Sequence, residues 1–99
     1  MDMKQMEEKC VDVSNLLKQF AHPQRLLILC YLSDGEKQVS DIQAAVNLSQ
    51  SQTSQFLKRM QNEGLLELRR EKNFSFYSIV NPDVIKLLKS MQKIFCKVA

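Results

Sequence analysis

Apolar positions recur along this chain with changing period. Met3, Met6, Cys10, Val13, Leu17 and Phe20 follow one another at alternating steps of three and four, the near-heptad spacing of a helical seam that packs on a partner. The spacing predicts a helix over 3–20 whose partner helix belongs to the same chain or to a second one. Ala21-His22-Pro23 interrupts it, and Pro23 suits the first turn of the next helix. That helix, Gln24 to Ser33, is apolar nearly all round (Leu26, Leu27, Ile28, Leu29, Cys30, Leu32), which predicts a place in the middle of the domain. Asp34-Gly35 ends it.

From Asp41 to Met60 the chain reads DIQAAVNLSQSQTSQFLKRM. This predicts a short helix, a tight turn at Asn47-Leu48-Ser49, and a second helix that stops at Gly64. Ser40 is expected to cap the short helix with Val39 as its staple, and Ser49 to cap the following one. Ile42, Ala45, Val46 and Leu48 can then pack against Thr53, Phe56, Leu57 and Met60. After Gly64 the period falls to two. Leu66, Leu68 and Arg70 alternate with Glu67, Arg69 and Glu71, and Phe74 to Val80 is rich in aromatic and β-branched residues. With Lys72-Asn73 as the turn, this is a β-hairpin. Asn81-Pro82-Asp83 opens a last helix to about Lys97, with a stripe of Val84, Leu87, Leu88, Met91, Ile94, Phe95 and Val98.

The order is mainly α with a β-hairpin wing: five helices forming a winged helix-turn-helix. The helix-turn-helix occupies 40–63 and the wing 66–80. The first and last helices, 3–20 and 82–97, are spare and carry seams suited to a homodimer.

Composition narrows this picture without changing it. Ninety-nine residues, 44% hydrophobic and 25% charged, make one globular domain (1–99) with a small core that a dimer interface would help. The net charge of +3 permits nucleic-acid binding, but the placement of charge decides. No apolar run approaches the ~18–20 residues of a membrane span, and the acidic, amphipathic MDMKQMEEK start is unlike a signal peptide. A cytoplasmic protein is expected. Three cysteines are an odd number for a disulfide framework, which favours free, regulated or buried thiols. No catalytic Ser-His-Asp or Cys-His pairing and no phosphate loop is suggested, so an enzyme is not expected. His22, alone before Pro23, reads as a capping or packing residue.

On the helix after the turn, Ser51, Ser54, Gln55 and Lys58 share one face at helical spacing, opposite Thr53, Leu57 and Met60. Gln50 sits in its first turn. Gln can bond adenine edges in a major groove, and Ser suits bases or phosphates. Lys58, Arg59, Arg69, Arg70 and Lys72 would meet phosphates, with Arg69 or Arg70 able to enter a minor groove. An ordinary solvated helix face has the same composition. The turn spacing, the cap and the basic hairpin that follows favour double-stranded DNA. One such helix reads few base pairs, so a symmetric dimer on a palindromic site is expected.

The segments FAHPQRLLILCYL, LSQSQTSQFLKRMQNEGLL and the hairpin ending FYSIV resemble the ArsR/SmtB family of bacterial winged-helix repressors along nearly the whole chain. The resemblance implies a homodimer built through the first and last helices. Metal-sensing members carry a cysteine pair in the third helix, or histidines and carboxylates in the last. Here EKQVSDI places Gln38 and Ser40 where thiols would stand, and the last helix has Asp83 but no His. No metal and no cofactor is therefore expected. Within the family, RLLILC and IFC resemble the sulfide-responsive branch of the BigR, SqrR, YgaV and HlyU type. That resemblance implies that Cys30 and Cys96 are the sensing dithiol, that a persulfide or polysulfide is the inducer, and that the linked form releases DNA.

The residues around each thiol add detail. Cys10 lies within the apolar stripe of the first helix and reads as a small buried hydrophobe. Cys30, among Leu26, Leu27 and Ile28, reads as core with a raised pKa. Cys96 falls outside its helix's stripe, near Lys89, Lys93 and Lys97, and is expected to be the accessible, attacking thiol, with Cys30 resolving. Two rivals stand beside this reading: a general thiol-redox regulator that answers peroxide, and a protein-interaction module that uses the winged fold as a scaffold.

Overall fold

The computed structural model describes residues 1–96. Five helices and three strands follow in the order α1 (Met3–Phe20), α2 (Pro23–Leu32), β1 (Lys37–Gln38), α3 (Val39–Val46), α4 (Gln50–Asn62), β2 (Leu66–Glu71), β3 (Phe74–Ile79) and α5 (Pro82–Phe95). The expected winged helix-turn-helix is present. Lys97 and Val98, which the sequence adds to the last helix and its stripe, lie outside the described residues.

The core gathers around α2. Ile28, Leu29 and Leu32 are 0–1% exposed and meet Ile42 and Val46 of α3, Leu57 and Met60 of α4, Ile79 of β3, and Val84 and Leu88 of α5. The second helix is less uniformly buried than its sequence suggests, since Leu27 faces outward. Ala45, expected to pack against α4, is also exposed; Ile42 and Val46 at helical spacing take the inward face of this short helix.

α4 starts as its sequence predicts. Ser49 Oγ accepts from the Gln52 N–H at 3.1 Å, and Gln52 Oε1 accepts from the Ser49 N–H at 3.3 Å, a complete capping box. Asn47 reaches the left-handed region (φ 54) to close α3, a conformation Asn tolerates. The start of α3 departs from expectation. Val39, not Ser40, opens the helix, and the cap position falls to Gln38, which makes no side-chain cap bond. The reason is a short strand that no sequence pattern announces. Lys37 and Gln38 pair antiparallel with Tyr77 and Phe76, which holds the backbone extended up to Gln38 and so places the extended cap position there.

The wing is therefore a three-stranded antiparallel sheet, ordered β1-β3-β2, with Leu66 opposite Ile79 and Glu71 opposite Phe74. Lys72 turns the hairpin in the left-handed region (φ 56).

α1 contributes mainly its C-terminal end to the core, through Leu16 and Phe20. The rest of its seam is exposed, and Met6, Cys10, Val13 and Leu17 line an open groove of about 540 Å³. Cys10 is thus exposed in the single chain, not buried as its stripe suggested, because the seam has no partner among the described residues. Leu17 and Phe20 continue onto Leu87, Ile94 and Phe95 of α5 around a second apolar hollow. Phe95 is 79% exposed.

Two substitutions test this packing by urea denaturation at fixed protein concentration. Met60→Ala, at a 0% exposed site, should cost about 2–5 kcal/mol. Ser49→Ala, which removes the α4 cap, should cost about 0.5–2 kcal/mol.

Candidate nucleic-acid interface and thiol pair

The period of two in β2 sends its adjacent arginines to opposite faces of the sheet. Arg70 shares a face with Leu68 and, across the ladder, Ser75. Its positive charge acts on the Tyr77 hydroxyl, whose pKa burial raises. This face looks towards α4. An open cleft of about 420 Å³ runs between them, with Gln50, Ser54 and Lys58 of α4 on one wall and Arg70 and Ser75 of the wing on the other.

Arg69 points the other way. Its guanidinium forms two bonds to Glu36 (Nη2–Oε1 2.8 Å, Nε–Oε2 2.9 Å) and one to Glu71 (2.9 Å), and lies 4.6 Å from the centre of the Phe76 ring. The same pairing holds the Glu36 carboxyl below its ordinary pKa and raises that of Arg69. Arg70 and Arg69 are equivalent in the sequence; the fold leaves the first facing the cleft and ties the second to carboxylates.

The other expected residues spread around this cleft. Ser51 is exposed in the first turn of α4 and Lys72 at the tip of the wing. Gln55 and Arg59 lie one face round, grouped with Gln24 of α2. Sequence reasoning passed over Gln43 and Ser40 of α3 and Asn73 and Ser75 of the wing, which also line the cleft. Each is a single neutral polar residue with no periodic signal. Gln52, though on this helix, is occupied by the cap.

α2 supports α4 from behind. Arg25 makes a bidentate pair with Glu63 just past α4 (Nη1–Oε1 3.2 Å). The His22 ring packs 5.2 Å from Phe56, the packing role its position suggested.

The opposite end of α2 carries Cys30, half-buried. Cys96 is the exposed C-cap of α5. Burial raises the Cys30 pKa, negative charge on Cys96 raises it further, and the Gln92 side chain opposes both. The segments that carry the two thiols, far apart in sequence, are tied by the Gln92 side chain, which bonds Ser33 Oγ at 3.1 Å. Among the described residues no cluster of three His, Cys, Asp or Glu side chains could hold a metal ion, and no helix is long and apolar enough to cross a membrane.

Residues 22–67 match the model of the bacterial regulatory protein arsR family. The chain is 32% identical over 97 residues to the transcriptional activator HlyU of Vibrio cholerae, an alignment that covers 98% of this chain and 90% of the relative. The crystal structure of the transcriptional repressor BigR from Xylella fastidiosa superimposes with a TM-score of 0.89 at 32% identity, covering 99% of this chain and all of that one. The homodimeric winged helix-turn-helix domain Mb0332 of Mycobacterium bovis, a possible ArsR-family regulator, superimposes at 0.73 with 29% identity, over 94% of this chain and 86% of that one. Fold, α4 cap, wing and full-length similarity agree, and this chain belongs to the ArsR family of winged helix-turn-helix transcriptional regulators.

Proposed function

We propose that the chain is a cytoplasmic, homodimeric repressor that binds a palindromic operator through α4 and the wing and releases it when Cys30 and Cys96 are joined by sulfur. The observation that carries the reading is the bond from Gln92 Nε2 to Ser33 Oγ at 3.1 Å, which ties the last turn of α5, just before Cys96, to the end of α2 that carries Cys30. The unpartnered apolar seam of α1, continuous with the exposed face of α5, supports a dimer built through those helices. In a dimer the cleft appears twice, which suits two half-sites.

In the DNA-binding role, Gln50, Ser51, Ser54 and Gln55 face base edges or nearby phosphates. Lys58, Arg59, Arg70 and Lys72 neutralise phosphates on either side. Arg69 contributes less, because Glu36 and Glu71 already cancel its charge.

Sulfide is already reduced and cannot oxidise a thiol, so the inducer must bring zero-valent sulfur. With a hydropolysulfide RS–S–SH, the exposed Cys96 thiolate attacks the middle sulfur and RS⁻ leaves. Cys30 thiolate then attacks that same sulfur and HS⁻ leaves. The two electrons given up by the cysteine sulfurs depart on RS⁻ and HS⁻, and one zero-valent sulfur stays in a Cys96–S–S–S–Cys30 bridge. A plain disulfide requires Cα atoms within roughly 7 Å; the extra sulfur lengthens the reach and selects the donor. The exposure of Cys96 also favours a second reading, a general thiol sensor that answers peroxide.

Three outcomes are expected. Arg70→Ala should weaken operator binding and lower the slope of log affinity against log salt by about one for each phosphate left without its cation. Arg69→Ala should change both less, and anisotropy titrations at several salt concentrations that reversed this order would contradict the assignment. Peptide mass spectrometry after polysulfide should find Cys30 and Cys96 linked with added sulfur mass. The same link and the same loss of DNA binding after peroxide would move the protein to the general sensor. In the reduced protein at neutral pH, iodoacetamide should label Cys96 ahead of Cys30, and the opposite order would reverse their roles as attacking and resolving thiols.

A further inference from the structure

One side chain ties the last turn of α5 back to α2. Gln92, half-buried one turn before Cys96, donates from Nε2 to Ser33 Oγ at 3.1 Å. Ser33 is 5% exposed and is the C-cap of α2. Its hydroxyl donates to the Cys30 carbonyl at 2.7 Å, and its backbone N–H donates to the same oxygen at 3.2 Å. The backbone carbonyl of Gln92 accepts the Cys96 N–H at 2.7 Å, the last main-chain bond of α5. The Gln92 side chain therefore fastens the turn of α5 that ends at Cys96 to the Ser33 cap that bonds the Cys30 carbonyl.

We propose that Gln92, with Ser33 as its anchor, is the positioning residue of the thiol pair, setting the approach of Cys96 to Cys30. This rests on the reading of Cys30 and Cys96 as the sensor. An amide fits the task because it donates hydrogen bonds without titrating. A carboxylate in its place would oppose a thiolate; an ammonium would activate the thiol permanently. The amide also acts on the Cys30 thiol in the activating direction, against burial and against Cys96. Other charges nearby are engaged elsewhere: Asp34 pairs with Lys37 at 2.6 Å, and Lys89 of α5 acts on Asp34. Two cysteines brought together by tertiary packing alone would drift with every motion of α5. The Gln92 bridge removes that freedom before any inducer arrives.

The test measures alkylation of Cys30 and Cys96 by iodoacetamide against pH, peptide by peptide, in reduced wild type, Gln92→Leu, Gln92→Glu and Ser33→Ala, together with the rate of Cys30–Cys96 linking by polysulfide. Thermal midpoints are recorded alongside. In Gln92→Leu the Cys30 profile should move to higher pH and linking should slow by roughly three- to tenfold. Gln92→Glu should move the profile further in the same direction, a graded response that loss of packing alone would not give. Ser33→Ala keeps the amide and removes the anchor, so linking should slow with a smaller movement of the Cys30 profile. Superimposable Cys30 profiles and equal linking rates in all four proteins would overturn the role of Gln92 while leaving the sensor intact. A wild type that forms no link with polysulfide would overturn the sensor, and the Cys30 profiles would still decide whether Gln92 tunes that thiol.

Discussion

Burial of α2 is the constraint on which the rest of the structure depends. Ile28, Leu29 and Leu32 are closed off from solvent, and elements from both ends of the chain pack on them. Interiors this dense pass displacement on instead of absorbing it. The N-terminal end of α2 grips α4 through the Arg25–Glu63 pair and the packing of His22 on Phe56. Its C-terminal end carries Cys30 and the Ser33 cap that meets Gln92 of α5. A helix fixed in this way joins the segment that carries Cys30 and Ser33 to α4.

The cleft between α4 and the wing depends on a second constraint, the alternation of β2. Because successive side chains leave opposite faces of a strand, only one of two neighbouring arginines faces the cleft. The other is neutralised by Glu36 and Glu71. Glu36 reaches Arg69 because the segment next to it pairs with β3 as β1. The short strand before α3 therefore also decides which arginine is tied to carboxylates and which lines the cleft.

Much of this was legible in the sequence, for reasons that differ by element. The five helices and the hairpin follow from strong periodicities, and Ser49 ahead of the amphipathic run announces the α4 cap. β1 was not legible, because two residues give no alternation and their partners Tyr77 and Phe76 lie far along the chain. The seam of α1 showed its period but not its partner, since core and interface stripes repeat alike; this is why Cys10 was read as buried and is exposed. Alternation said that Arg69 and Arg70 diverge, but only the packed sheet says which one turns towards α4. Gln92 gave no signal at all: one amide in a helix has no pattern, and its meaning comes from Ser33 across the fold.

If α2 couples the two sites, their free energies must be linked, and a coupling of ordinary size changes affinity by about 5- to 150-fold. The most direct measurement is the operator dissociation constant of one preparation at fixed salt, first reduced, then with the Cys30–Cys96 link verified by mass, then reduced again. The account predicts that affinity falls by about tenfold or more on linking and returns on reduction. An unchanged dissociation constant in fully linked protein would contradict it.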